Sequence, residues 1–331
     1  MKKILSLILL FSVGVIIAQA KVSPISTMPG AFSRMGFGAR GIGMGNAMSA
    51  VTEGNIVSYY NPALTVFQEN NSFQTSYSFL SLNRSLNFLN FTRKFDFYST
   101  DSLGNKIVRS SAGISLGVIN SGVSQIDGRD AQGIQTGNLS TSENQFFIAL
   151  ANRFSKKFSL GMSFKFYYYK LYQQISSTGF GLDIGALYRV NDQWNISFML
   201  TDLNSKYTWD STPIYQQNGT NSVDKFPLLK KVGVSYSNKD YGIIAALEFE
   251  SSNAGTNILR GGIEYNIYKG LYLRSGLDQF NLSNSDFPAK PSLGFSYFKN
   301  FGNITVGVDY AFVIEQYSPS NENVIGLNIN F

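Results

Sequence analysis

The 331-residue sequence contains no cysteine and no histidine, which excludes disulfides, thiol chemistry, the usual zinc sites and Ser-His-Asp hydrolysis. Charged residues make up 15% of the chain, aromatic residues another 15%, and 31 residues are glycine, which favours a membrane β-barrel. The formal charge of +6 is spread along the chain without a basic run, so nucleic acid is not an expected partner.

The first residues have the pattern of a secretory signal. Lys2 and Lys3 precede an apolar run over residues 4–17, and residues 18–20 have the sequence AQA. The run is shorter than the roughly 20 residues that a spanning helix needs. We therefore predict a signal peptide over 1–20, a leader and lumenal plug over 21–71, and a transmembrane barrel over 72–331.

Period-two alternation is the main structural signal. Even positions from 158 to 168 and from 180 to 188 are apolar or aromatic, and the positions between them are mostly small or polar. Such runs are long enough for the roughly 9–11 residues that a tilted strand needs to cross a bilayer. They predict that Leu160, Met162, Phe164, Leu182 and Ile184 face lipid. A turn centred at Gln174 would place Lys165 directly opposite Asp183 inside the barrel.

Similar alternation continues from residue 72 to the end of the chain and predicts an all-β, 14-stranded antiparallel transmembrane β-barrel. The predicted strands cover residues 72–81, 85–98, 107–120, 142–154, 157–171, 176–190, 193–203, 228–238, 240–251, 256–267, 270–280, 290–299, 302–315 and 323–331. Tight turns follow even-numbered strands, and the long links 121–141 and 204–227 follow odd-numbered strands. This parity predicts that both termini are periplasmic in the outer membrane of a Gram-negative-type bacterium.

Residues 33–67 break the alternation and contain many glycines. The glycines disfavour a regular helix, although residues 55–64 could form a short helix that ends at Asn61-Pro62. An irregular segment is stable at membrane depth only inside protein or a water-filled cavity, so we predict a plug in the barrel lumen. The candidate plug residues are Arg40, Gly41, Gly43, Gly45, Asn46, Glu53, Asn61 and Pro62.

Strand parity assigns a set of charged residues of both signs to the lumen. The main candidates are Lys165, Asp183, Arg189, Glu248, Arg260, Glu264, Arg274 and Asp278. Because the signs are mixed, a self-neutralising wall is favoured over a hydrolase with paired carboxylates. We expect no enzyme activity, cofactor or metal. The aromatic residues 167–169 could form a stacking platform, but an interface girdle is favoured.

One block resembles a known family signature. Residues 38–47, GARGIGMGNA, followed by YYNPA at 59–63, are similar to the N-terminal motif of the PorV/PorQ family within the FadL-like outer-membrane proteins. Residues 139–143 and 155–166 also resemble generic members. The acidic stretch of the motif is reduced to Glu53, and Leu64 replaces a glycine.

The resemblance implies a FadL-like barrel with an N-terminal segment in the lumen. It implies an accessory role in type IX secretion through binding of partner or cargo proteins; the alternative is a FadL-type carrier of small hydrophobic molecules. A purely structural barrel is a third possibility. Gly113 and Gly117 are candidates for a lateral opening of the FadL kind or, alternatively, make room for the plug. The terminal Phe331 resembles the signal read by the barrel-assembly machinery, and outer-membrane lipid is a further expected partner.

Overall fold

The computed structural model describes residues 24–100, 104–283 and 288–331. The predicted signal peptide lies outside the described residues. Residues 101–103, between the second and third predicted strands, lie outside them as well. The strands are β1 Ser72–Phe79, β2 Arg84–Thr100, β3 Lys106–Arg129, β4 Gln135–Arg153, β5 Phe158–Tyr172, β6 Ile175–Arg189, β7 Trp194–Leu203, β8 Lys206–Asp210, β9 Asn221–Lys225, β10 Leu229–Asn238, β11 Ile243–Ser252, β12 Asn257–Tyr268, β13 Leu271–Asn281, β14 Lys290–Phe301, β15 Ile304–Val313 and β16 Glu322–Asn330.

Within the described residues, helical structure is confined to short pieces. The α-helices are α1, Ala39–Gly43, and α2, Thr212–Tyr215; 3-10 turns cover Pro24–Thr27, Ala31–Arg34, Pro62–Phe67 and Gln216–Asn218. Among the described residues, no helix has the length and hydropathy needed to cross a bilayer.

Fourteen strands form a closed antiparallel barrel, which confirms the predicted fold class. Every barrel strand pairs with its neighbours, and β1 closes the circle against β16 with Ser72 opposite Asn330. We call the end of the barrel that holds these two residues the terminal end, and the opposite end the loop end. Phe331 extends the closure, because it exchanges two backbone hydrogen bonds with Asn71. Its exposed ring packs near Phe91 on the outer face.

The predicted alternation of faces is confirmed in β5 and β6. Leu160, Met162 and Phe164 are exposed on the outer face, and Ile184 is half-buried between them and β7. Lys165 and Asp183 point inward and are almost completely buried. A large apolar outer face and a polar or packed inner face match the two environments of a membrane barrel.

The two long predicted links are wrong in part. Residues 121–141 are mostly strand, because β3 runs to Arg129 and β4 begins at Gln135, so these strands project beyond the rim as a hairpin arm. The polar residues of this arm continue the pairing without alternating in hydropathy, which hid the strands from the sequence pattern. Residues 204–227 contain the separate hairpin β8–β9, which packs against the inner face of β6.

Candidate functional site: the lumen

The lumen is occupied by the N-terminal chain. Residues 30–67, called here the lumenal segment, are almost all buried. Helix α1 packs against β13–β16, whereas the 3-10 helix Pro62–Phe67 packs against β2–β6, so the segment touches opposite sides of the barrel. Barrel side chains bind several of its backbone carbonyls: Ser235 donates to that of Ala50 at 2.7 Å, and Ser159 donates to that of Ala63 at 3.1 Å.

The lumenal segment enters the described structure at the loop end. Gly30 lies against the ring of Phe226, which follows hairpin β8–β9, and Phe32 joins the same apolar cluster. Glu53 and Gly54 lie at the other end, beside the turns that contain Lys269. The chain therefore passes through the lumen from the loop end before β1 begins at the terminal end.

Two local predictions about this segment are corrected. Asn61 and Pro62 begin a helical turn instead of ending one: the Asn61 side chain accepts a hydrogen bond from the Ala63 amide at 2.9 Å, and Pro62 occupies the first helical position. One α-helical turn also forms over Gly41 and Gly43, because packing against the wall outweighs their weak helix propensity.

Gly45 shows why the motif needs glycine. It has a φ of +59°, and a Cβ there would lie 2.6 Å from the backbone nitrogen of Leu277 in β13. Opposite it, Gly262 and Gly276 leave no room for side chains because the backbone of Met44 and Gly45 fills that space. Backbone thus packs directly on backbone at this point.

One side of the lumen is lined by charges. This charged wall consists of Lys231, Glu248, Glu250, Arg260, Glu264, Arg274, Asp278 and Asp309, all buried and all contributed by β10–β13 and β15. Arg260 is its centre: its guanidinium lies 2.6 Å from Asp278, 3.1 Å from Glu250 and 3.4 Å from Glu248. Further along the wall, Arg274 pairs with Glu264. Mutual pairing lets these charges remain buried.

The lumenal segment docks on the charged wall through polar side chains. Arg40 forms a two-pronged ion pair with Glu264, with both hydrogen bonds at 2.9 Å, and donates to the Glu53 carbonyl at 2.8 Å. Asn46 donates to Asp278 at 2.8 Å. Two candidate plug residues therefore meet two candidate lumen residues directly, while Arg189 lies half-buried at the terminal end near Phe67.

On the opposite side of the lumen, the part of the wall nearer the loop end is largely apolar. This apolar wall consists of Leu86, Phe88, Ile119, Phe147 and Tyr167, from β2–β5, and all are buried. Apolar and aromatic side chains of the lumenal segment and of hairpin β8–β9 form one continuous cluster with it.

Aromatic contacts join the parts of this cluster. The ring of Phe37 lies 4.2 Å from that of Tyr59 and 5.7 Å from that of Phe88. Near the loop end, the rings of Tyr167 and Phe226 are 4.8 Å apart. The middle of the lumen is consequently packed, and the cavity there measures about 10 Å³. At the terminal end, by contrast, a cavity of about 570 Å³ borders Arg40 and Glu53.

A small ionic cluster interrupts the apolar side. The Lys165 ammonium lies 2.7 Å from Asp183 and 3.1 Å from Asp202, and Tyr167 donates to Asp202 at 2.7 Å. The predicted direct pairing is wrong, because Lys165 stands opposite Gly181, so that Lys165 and Asp183 meet diagonally. The strands meet two residues away from the expected register, and long side chains still span that offset.

Asp202 was missed by the sequence pattern. Strand alternation in β7 would send its side chain outward to lipid, but its φ of +62° and the irregular pairing with β6 turn it inward. The sequence offers one signal of this irregularity. Strict alternation would place the charged Asp202 toward lipid at the end of its strand, and such a placement is energetically costly.

The wall is continuous at Gly113 and Gly117. From Ser111 to Val123, β3 pairs with β4 without a register shift, and the same residues from Ser111 onward pair regularly with β2. Thr65 of the lumenal segment fills the space at Gly113, and the Phe147 ring fills that at Gly117. A lateral opening at these glycines is therefore not seen, and their small size serves inner packing.

Known structures resemble this architecture, although no protein-family model matches the sequence and a comparison with curated proteins finds no match. The toluene transporter TodX of Pseudomonas putida aligns over 89% of this chain and 96% of its own, with 13% identity and a TM-score of 0.56. The monoaromatic hydrocarbon channel CymD aligns over 90% and 98%, with 13% identity and a TM-score of 0.58.

A FadL homologue of Pseudomonas aeruginosa aligns over 87% of this chain and 97% of its own, with 10% identity and a TM-score of 0.52. At such low identity the likeness concerns the fold. The chain therefore has the closed 14-stranded antiparallel barrel fold of FadL-like outer-membrane transporters.

Proposed function

We propose that this protein carries small hydrophobic molecules across the outer membrane, with the lumenal segment as its gate. One observation supports this most: a continuous apolar cluster reaches from hairpin β8–β9 at the loop end to the middle of the lumen. A water-filled porin has a polar interior instead. The structural neighbours include a toluene transporter and a monoaromatic hydrocarbon channel.

The longest connections between strands lie at the loop end, which supports an orientation with that end outside the cell. The terminal end faces the periplasm, the loop end faces the outside, and Phe331 is the residue presented to the assembly machinery. Because the middle of the lumen is packed, passage requires the lumenal segment or hairpin β8–β9 to shift. A hydrophobic solute entering from the loop end would replace the aromatic contacts that it displaces, so the cost of opening is reduced.

Trp209 provides a direct test. It is one of two tryptophans in the chain, and its ring lies 5.3 Å from Tyr169 and 5.5 Å from Tyr207 in the cluster. In a Trp194→Phe variant, titration with toluene should give a saturable change in Trp209 emission, whereas glucose should give none. Cells that carry the protein should also take up labelled toluene faster. The carrier proposal is refuted if toluene leaves Trp209 emission unchanged and cells that carry the protein take up toluene no faster than cells without it.

An accessory role in type IX secretion is the second candidate. The observation in its favour is the β3–β4 arm, whose residues 124–129 and 135–141 project beyond their neighbouring strands as a surface for a protein partner. Removal of residues 124–134 discriminates between the two roles. Loss of secretion with unchanged toluene uptake supports the accessory role, and unchanged secretion argues against it. Secretion-system genes beside this gene would add support.

A further inference from the structure

The pairing of β6 stops on one side before the strand ends. On the β5 side, pairing continues to Tyr172 opposite Ile175. On the β7 side, the last pair is Leu182 with Leu203, where β7 ends. Hairpin β8–β9 does not take over, because β8 pairs with β9 alone. Within the described residues, no strand pairs with this side of residues 175–181, which we call the open edge.

Strand geometry identifies the backbone groups that this edge presents. The Arg189 amide donates to the Lys157 carbonyl of β5 at 2.7 Å, and the β5–β6 register is continuous from there to Ser176. Alternate residues of a strand point their backbone groups to opposite sides. The N–H and C=O groups of Ser176, Thr178 and Phe180 therefore point away from β5, toward the place that a longer β7 would occupy.

The edge is accessible from outside the barrel but covered within it. Ser176 and Thr178 are exposed, and the Phe180 side chain is 71% exposed. On the inner face, the Ser177 hydroxyl donates to the Thr208 carbonyl at 2.8 Å and accepts from its amide at 2.9 Å. Hairpin β8–β9 thus supports the strand from behind and leaves its edge free.

The free edge of β3 on the same rim is protected. The β3–β4 arm carries a bulge at Gln125, with a φ of +55°, and an ion pair between Asp127 and Arg129 at 2.6 Å. Bulges, charges and prolines are the usual devices that prevent strand addition. The open edge has the sequence ISSTGFG and contains no charge and no proline. The open edge therefore lacks the protection that the β3 edge has.

We propose that the open edge is a docking site for an extended, uncharged peptide segment, which adds to the barrel as a strand beyond the end of β7. Main-chain hydrogen bonds to Ser176, Thr178 and Phe180 provide the affinity, as in other cases of strand addition. An apolar residue of the peptide lies opposite Phe180 and gains a cross-strand contact. A second copy of the chain fits less well, because antiparallel pairing about Thr178 would set Phe180 against Ser176.

Hydrogen exchange of the full chain in detergent micelles tests this proposal. The probe is a capped six-residue peptide of alternating threonine and valine. It should slow exchange of the Ser176, Thr178 and Phe180 amides by about tenfold, equivalent to about 1.4 kcal/mol. The same peptide with every amide N-methylated should have no effect, because neither of its edges can then donate a hydrogen bond to the barrel strand.

Paired variants locate the site. Thr178→Pro removes an edge-directed donor and should abolish the slowing, whereas Thr178→Ala should retain it; electrophoretic mobility before and after heating checks that each barrel is folded. If Thr178→Pro does not fold, the N-methylated peptide alone decides. The proposal is overturned by unchanged exchange at saturating peptide or by equal slowing with the N-methylated probe. Slower amide exchange without peptide, when only the protein concentration is raised, would also overturn the proposal. It would indicate that a second copy of the chain occupies the open edge.

Discussion

The two sides of the lumen hold the same segment by different means. The charged wall binds it through directed hydrogen bonds and ion pairs, such as those of Arg40 and Asn46. The apolar wall packs against it through aromatic and aliphatic contacts around Phe37 and Phe88. Directed contacts fix one position of a segment, whereas apolar contacts tolerate displacement by another apolar body. Under the carrier proposal, the charged wall is the hinge side and the apolar wall is the path for solute.

The largest expected effect comes from removing the centre of the charged wall. Arg260→Leu removes the guanidinium that pairs with three buried carboxylates, those of Glu248, Glu250 and Asp278. Breaking a buried pair by removing one partner costs about 3–5 kcal/mol. The measurement is the free energy of unfolding in urea, followed by tryptophan fluorescence in micelles.

Arg129→Leu is the matched control for that variant. It removes an equally short ion pair, with Asp127, on the exposed β3–β4 arm. Exposed pairs contribute about 0–1 kcal/mol, so this variant should unfold nearly like the parent. Equal losses in the two variants would show that the charged wall is hydrated and would remove its contrast with the surface.

The apolar wall should be sensitive to truncation at Phe88. Phe88→Ala leaves a cavity beside Phe37, and we expect a loss of about 3 kcal/mol, at the lower end of the range for such changes, because the lumenal segment can partly close the gap. The affinity for toluene, read from Trp209 emission, should change as well. A stability loss without any change in toluene binding would separate this wall from the solute path.

Sequence alternation was sufficient for the strand number and for the outward faces of β5 and β6, because lipid on one side enforces a strict period of two. It also selected inward charges that form ion pairs, such as Glu264 with Arg274 and Asp278 with Arg260. It could not reveal the apolar wall, because inward Phe88 and Phe147 look like any other alternating residue. Register, the bulge that turns Asp202 inward and the hairpin at residues 206–225 depend on contacts between distant parts of the chain.

A smaller effect is expected where backbone packs on backbone. In Gly262→Ala the added methyl group would overlap the Met44 carbonyl, and overpacking of this kind costs about 1–3 kcal/mol. Gly43→Ala is the control, because a Cβ there meets Gly294 at an ordinary 3.5 Å and replaces glycine within a helical turn. The control should be neutral or more stable by about 0.5–1 kcal/mol. Thermal unfolding compares the two, and an equally tolerant Gly262 would mean that the contact is loose.

The smallest change sharpens the description of the apolar wall. Ile119→Val removes one methylene from a fully buried side chain and should cost about 0.5–1.5 kcal/mol. The same measurement of unfolding in urea applies. A cost near zero would indicate that the wall already adapts to small volume changes, as a path for variable solutes would.

The central claim is that residues 31–65 close the lumen, and single-channel conductance in planar bilayers tests it most directly. The intact protein should be closed, because the middle of its lumen is packed by this segment. A protein lacking residues 31–65 should still insert, since the 14-strand pairing does not involve them, and should conduct small ions steadily. Identical, closed behaviour of the two proteins would contradict the claim and place the barrier elsewhere.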